Sequence, residues 1–87
     1  MKHTINVTRK HIDNGVPEDR WNCAVALALK DEFPQYANVI EVSNRFIDIG
    51  NKSFRTPEHV AAFIHKFDDD LPSTLEPITF ELDMEES

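Results

Sequence analysis

One cysteine, two glycines and one tryptophan are all that this 87-residue chain holds of those residue types. A single cysteine closes no internal disulfide, so the fold rests on its apolar core, extended by oligomerisation where that core is too small. Gly15 and Gly50 are isolated, which excludes a phosphate-cradling loop and a dinucleotide fingerprint. The longest apolar run, Cys23 to Leu29, is seven residues, whereas a membrane-spanning helix needs roughly 20. The opening MKHTINV has no apolar h-region, so no signal peptide is expected and the cytoplasm is the expected compartment.

Basic residues are missing from one quarter of the chain. Residues 1–66 carry nine Lys/Arg against eight Asp/Glu, while residues 67–87 carry eight acids and no base. That end repels nucleic-acid phosphate and attracts a basic protein surface. With 40% hydrophobic and 29% charged residues the composition is that of a globular chain, and 87 residues make one domain.

Alternation over His3–Val7 reads as a short strand with Ile5 and Val7 on one face. Thr8 suits the N-cap of a helix over Arg9–Asn14, with Gly15 in a left-handed position after it. Pro17, Glu18 and Asp19 suit the first turn of a second helix running to about Glu32, before Pro34. β-branched runs at Val39–Val42 and Arg45–Ile49 flank the turn-forming pair Ser43-Asn44. Gly50-Asn51-Lys52 turns the chain into a third strand, Ser53–Thr56. Thr56-Pro57-Glu58 then starts a helix whose Val60, Phe63, Ile64 and Phe67 share one face. Ile78, Phe80 and Leu82 alternate with polar residues in a last strand over Pro77–Asp83. The expected fold is a small α+β domain over residues 1–83, in the order β-α-α-β-β-β-α-β. It is a mainly antiparallel sheet with helices on one face. Residues 84–87 are expected to form a flexible acidic end.

Chemistry-bearing residues are sparse. Cys23 opens a stretch that is apolar all round, which reads as a helix buried on more than one side, and an unpaired cysteine there packs as a small hydrophobe. The alternative, a thiolate favoured by a helix N-terminus and Arg20, lacks a base at a recognisable spacing. His59 and His65 are six apart, the wrong interval for one helical face, and His3 and His11 lie far from them, so no metal site is expected. The triplet Asp68-Asp69-Asp70 lacks the glycine and alternating acids of a calcium loop. It also opposes the dipole of the helix it ends, which a basic partner would relieve.

The segments GVPEDRWNCAVALAL, VIEV, RFIDIG, TPEHVAAFIHKFDDDLP and PITFEL together resemble a family of small uncharacterised bacteriophage proteins. That family carries C-x-x-C-P-V-A-L-A-L and closes with P-x-x-F-E-L. Here Arg20 stands at the first cysteine position and Ala24 at the proline. The resemblance implies a phage origin and a host-cytoplasmic setting; its motifs are packing motifs and imply no mechanism.

Two binding roles and one structural role follow from these features. The first is a non-catalytic protein that docks a basic host protein through Asp68, Asp69, Asp70, Glu81 and Asp83, in its most specific form by mimicking nucleic-acid phosphates. The second is an oligomer that sequesters a small anion, such as a nucleotide, on Arg45, Lys52 and Arg55. The third is an assembly component. No base, nucleophile and oxyanion set can be assembled from these spacings, so neither catalysis nor a cofactor is expected.

Overall fold

The computed structural model describes residues 2–69 and 75–83. Strand β1 (Lys2–Val7) buries Ile5 and Val7 and turns Thr4 and Asn6 to solvent. It pairs antiparallel with the last strand, β5 (Ile78–Asp83), in the register Ile5↔Phe80 and His3↔Leu82. The apolar side chains of both strands therefore share one face, because alternate residues of a strand point to opposite sides. A second antiparallel sheet holds β2 (Ile40–Val42), β3 (Phe46–Ile49) and β4 (Lys52–Arg55) in that order. The chain is thus an α+β fold in the expected order of elements, its strands divided between two sheets.

Helix α2 (Ala24–Glu32) joins the two sheets, packing against both β1 and β2. Ala24, Val25, Ala26, Ala28 and Leu29 are all buried. The small alanines let neighbouring backbone approach on several sides, while Val25 and Leu29 fill the core. Helix α3 (Glu58–Asp68) buries Val60, Phe63, Ile64 and Phe67, the face its spacing predicts. The rings of Phe63 and Phe67 lie nearly parallel, 6.3 Å between centroids. No helix among the described residues is long and apolar enough to cross a membrane.

Three local expectations are corrected. The second helix starts at Ala24, not at Pro17. Asp19 prevents the earlier start: its carboxylate accepts the backbone N–H groups of Trp21 and Asn22, its own carbonyl accepts that of Cys23, and Glu18 adopts a positive φ of 61°. A side chain that bonds nearby backbone offers a turn in place of the helix. Gly15, after α1 (Arg9–Asn14), is extended at φ −72° and not left-handed. It is required by space, since an added Cβ would sit 2.6 Å from the Ala24 nitrogen and 2.9 Å from the Phe67 ring. Thr56 does not cap α3. Its hydroxyl donates to the Ser43 carbonyl at 2.9 Å and its N–H to the Arg45 carbonyl, so it closes the base of the β2–β3 turn. The acidic end expected over residues 84–87 lies outside the described residues.

Candidate functional site

The turn that Asp19 imposes does more than delay a helix. It carries residues 16–22 past the edge of β2, where Val42 donates its N–H to the Arg20 carbonyl at 2.8 Å. On the other side, the Asp68 carboxylate accepts the Glu18 N–H at 2.9 Å and ties the turn to the last residue of α3. A half-open groove of about 320 Å³ is left between the turn, the β2–β3 connection and α3. Cys23, Val42 and Ile64 form its apolar lining, and Glu18, Asp19, Arg20, Ser43, Asn44, His65 and Asp68 its polar lining.

Three carboxylates and one guanidinium surround this groove, so its charge is acidic. The Asp19 carboxyl is held below the ordinary carboxylate range, chiefly by the Trp21 backbone N–H and then by the Asn22 side chain. Asp19 therefore stays ionised well into mild acid. Arg20 leans over the Trp21 ring, 5.7 Å from its centroid. The Asn44 amide donates to His65 Nε2 at 3.2 Å, which joins the β2–β3 turn to α3.

Cys23 is the residue before α2 and is buried, 5% exposed. Burial pushes its thiol pKa up, and the negative charges of Asp68 and Asp19 push it further in that direction. The backbone N–H groups of Ala26 and Val25 pull the other way but do not prevail. A nucleophilic cysteine needs the opposite balance, with the thiolate favoured and exposed. The arrangement places a buried thiol of raised pKa at the floor of an acidic groove.

The five acids expected to form one edge are divided. Asp68 and Asp69 stand at the end of α3, Asp68 beside Cys23 at the start of α2. Glu81 and Asp83 lie on the exposed face of β5, with Asp83 opposite Lys2. His3, the neighbour of Lys2, bonds Glu32 at the other end of α2. The nine-residue helix separates the two groups by roughly 13 Å along its axis. Asp70 lies outside the described residues.

The three bases expected to hold an anion are not on one face either. Lys52 pairs with Ile49 in the row that faces the core, and Arg55 pairs with Phe46 on the opposite face of the sheet. Arg45 lies in the turn before β3. A strand sends residues three apart to opposite sides, so Lys52 and Arg55 of a single chain do not converge on one ligand.

Glu18, Asp19, Asn44 and His65 are site residues that the sequence did not point to. Asp19 followed by Trp21-Asn22 is a readable turn signal. The meeting of that turn with Asp68, fifty residues away, has no local signature. Among the described residues no group of three or more His, Cys, Asp or Glu is placed to hold a metal ion. No family model, curated protein or solved structure matches this chain.

Proposed function

We propose that the chain is a non-catalytic binding protein that docks a basic surface of a partner protein through the groove between the 16–22 turn and α3. The observation that supports this reading is the convergence of Glu18 and Asp19 on Asp68, with Asp69 next to it, around an apolar floor. Four acids at one end of a small domain steer a cationic partner toward it, and the floor offers burial for the stem of a lysine or arginine. In a phage setting that partner is a host protein. A host nucleic-acid-binding protein is the specific form, with the carboxylates standing where phosphates would.

Sequestration of an anion is the less favoured reading, because Arg45, Lys52 and Arg55 are dispersed. The groove reading is tested with Glu18→Gln, Asp68→Asn and Asp69→Asn combined, which removes three charges and keeps an amide oxygen to accept the Glu18 N–H. Host proteins retained by the immobilised chain are eluted in steps of rising salt. A partner that leaves the triple variant at clearly lower salt than the parent supports docking in the groove. An unchanged elution profile removes the groove from the reading.

A further inference from the structure

The sheet of β2, β3 and β4 has one buried face and one largely open face, on which Glu41 and Asp48 are half-buried and Trp21 lies against Glu41. Ile40, Val42, Ile47 and Ile49 point inward, with Phe54 against them. The other face presents two rows. One row is Glu41, Asp48 and Ser53, and the other contains Phe46 and Arg55, with Ser43 across from Phe46 at the β2 end. Phe46 is 51% exposed, and no described element covers it.

The charges on this face are badly placed for a lone chain. Glu41 and Asp48 are directly opposite across β2 and β3, and like charges in that relation are destabilising. Arg55 is opposite Phe46, and among the described residues neither the Arg55 nor the Asp48 side chain has a hydrogen bond or ion pair. Glu41 has one hydrogen bond, accepted from the Trp21 indole N–H at 3.3 Å.

Glu41 and Arg55 occupy opposite corners of the array, roughly 12 Å apart from strand spacing and rise. The other two corners are Ser43 and Ser53, both small. A two-fold axis parallel to the sheet, over its outer face and along the serine diagonal, turns the charged corners of two copies toward one another. Arg55 of one copy then falls between Glu41 and Asp48 of the other, twice over. The two Phe46 rings meet beside the axis. The strands of the two sheets cross at roughly 70°, nearer to the orthogonal than to the aligned way in which sheets pack face to face.

We infer that the outer face of β2, β3 and β4 is a two-fold interface between two copies of this chain, in which Arg55 of each copy pairs with Glu41 and Asp48 of the other. The contact is isologous, so every unfavourable feature of the single chain is relieved twice by one symmetry operation. The like-charged pair gains a cation, the guanidinium gains two carboxylates, and the exposed ring is covered. Trp21, bonded to Glu41, comes near the end of the partner's β4 and reports on the contact. This face meets the acidic groove at Ser43, which borders both, while Glu18, Asp19 and Asp68 lie outside it.

Sedimentation equilibrium tests the interface, with Trp21 emission followed over the same dilution series. At about 100 μM, which populates any dimer of micromolar affinity, the parent chain is expected to be dimeric. Glu41→Arg and Arg55→Glu should each weaken the dimer about tenfold or more, since each sets like charges against one another. An equimolar mixture of the two variants should dimerise again, because each mixed pair restores both Arg–Glu contacts. Phe46→Ser should weaken the dimer without any change of charge, and circular dichroism shows whether each variant keeps its fold. A monomeric parent chain overturns the inference, as does a dimer indifferent to Phe46→Ser or a variant pair that mixing does not restore. A monomer that still retains a basic partner would overturn the interface and leave the groove reading standing.

Discussion

His11 Nε2 lies 2.6 Å from the Asp31 carboxylate, joining α1 to the far end of α2. The ring's other nitrogen accepts the backbone N–H of Thr8 at 3.0 Å, which places the proton of the neutral ring on Nε2, donated to Asp31. His11 thus fills the third position of a capping box usually held by Glu or Gln, with Thr8 as the N-cap. Asp31 is largely in water, its side chain 74% exposed, while that of His11 is 11% exposed. The energy therefore rests with the cap and the packing of the ring, and little of it with the ion pair. His11→Ala should cost about 2–3 kcal/mol and Asp31→Ala under about 1 kcal/mol. Thermal unfolding resolves the difference, because 1 kcal/mol shifts the midpoint of a domain this size by roughly 4–8 °C. Equal losses would mean that the exposed pair matters as much as the cap.

The two glycines should respond differently to alanine. At Gly15 a methyl group would press on the Ala24 nitrogen, the His11 carbonyl and the Phe67 ring, two of which are backbone. Gly15→Ala should cost more than about 2 kcal/mol, because backbone cannot give way as a side chain can. At Gly50 the nearest atom to an added Cβ is 4.0 Å away, and only the φ of +63° opposes substitution. Gly50→Ala should cost about 1–2 kcal/mol, the penalty for left-handed backbone. Urea midpoints of the two variants test the order.

Cys23 should be inert in the folded chain. Thiol reagents should modify it at a rate set by unfolding, and at once in denaturant. Its folded pKa lies above the unfolded one, so folding favours the neutral thiol. That contribution is complete below the ordinary thiol range of about 8.5 and is lost as the pH rises through the folded value. Stability should then fall more steeply as the pH rises above about 8.5 in the parent chain than in Cys23→Ala. Parallel slopes would show that the thiol does not sense its burial.

Asp19 works in the opposite direction. Its folded pKa is lowered, so its contribution is present above the ordinary carboxylate value and is lost as the pH falls through the folded value. Trp21 is the only tryptophan and sits directly on this turn. Its emission should change in acid as the turn loosens, and Asp19→Ala should show the acid spectrum already at neutral pH. An emission maximum indifferent to both changes would remove Asp19 from control of the turn.

Much of the fold was legible residue by residue. The alternation of Ile5 and Val7, and of Phe80 and Leu82, marked the two long strands, and each buries the face it should. Val60, Phe63, Ile64 and Phe67 marked the buried stripe of α3. Thr8 was readable as a cap, although the reciprocal bond from His11 was not, since histidine is an unusual partner in that role. Pro17-Glu18-Asp19 misled because it satisfies the composition of a helix start. The carboxylate of Asp19 bonds Trp21 and Asn22 and spends that signal on a turn seven residues ahead of the helix body.

The sequence by itself determined the kind and order of the elements and the buried side of β1, β5 and α3, because periodicity and turn chemistry act within a few residues. It also determined that Cys23 opens an apolar helix with no polar side. The tertiary structure alone decided that β1 pairs with β5, that the remaining strands form a separate sheet, and that Glu18 meets Asp68. The β1–β5 pairing and the Glu18–Asp68 bond join residues fifty or more positions apart, and their cost in chain entropy is met only by the packing of the whole core. For the same reason the acids counted together near the end of the chain came apart in space. Asp68 gained Glu18 and Asp19 as neighbours, while Glu81 and Asp83 were carried to the far end of α2.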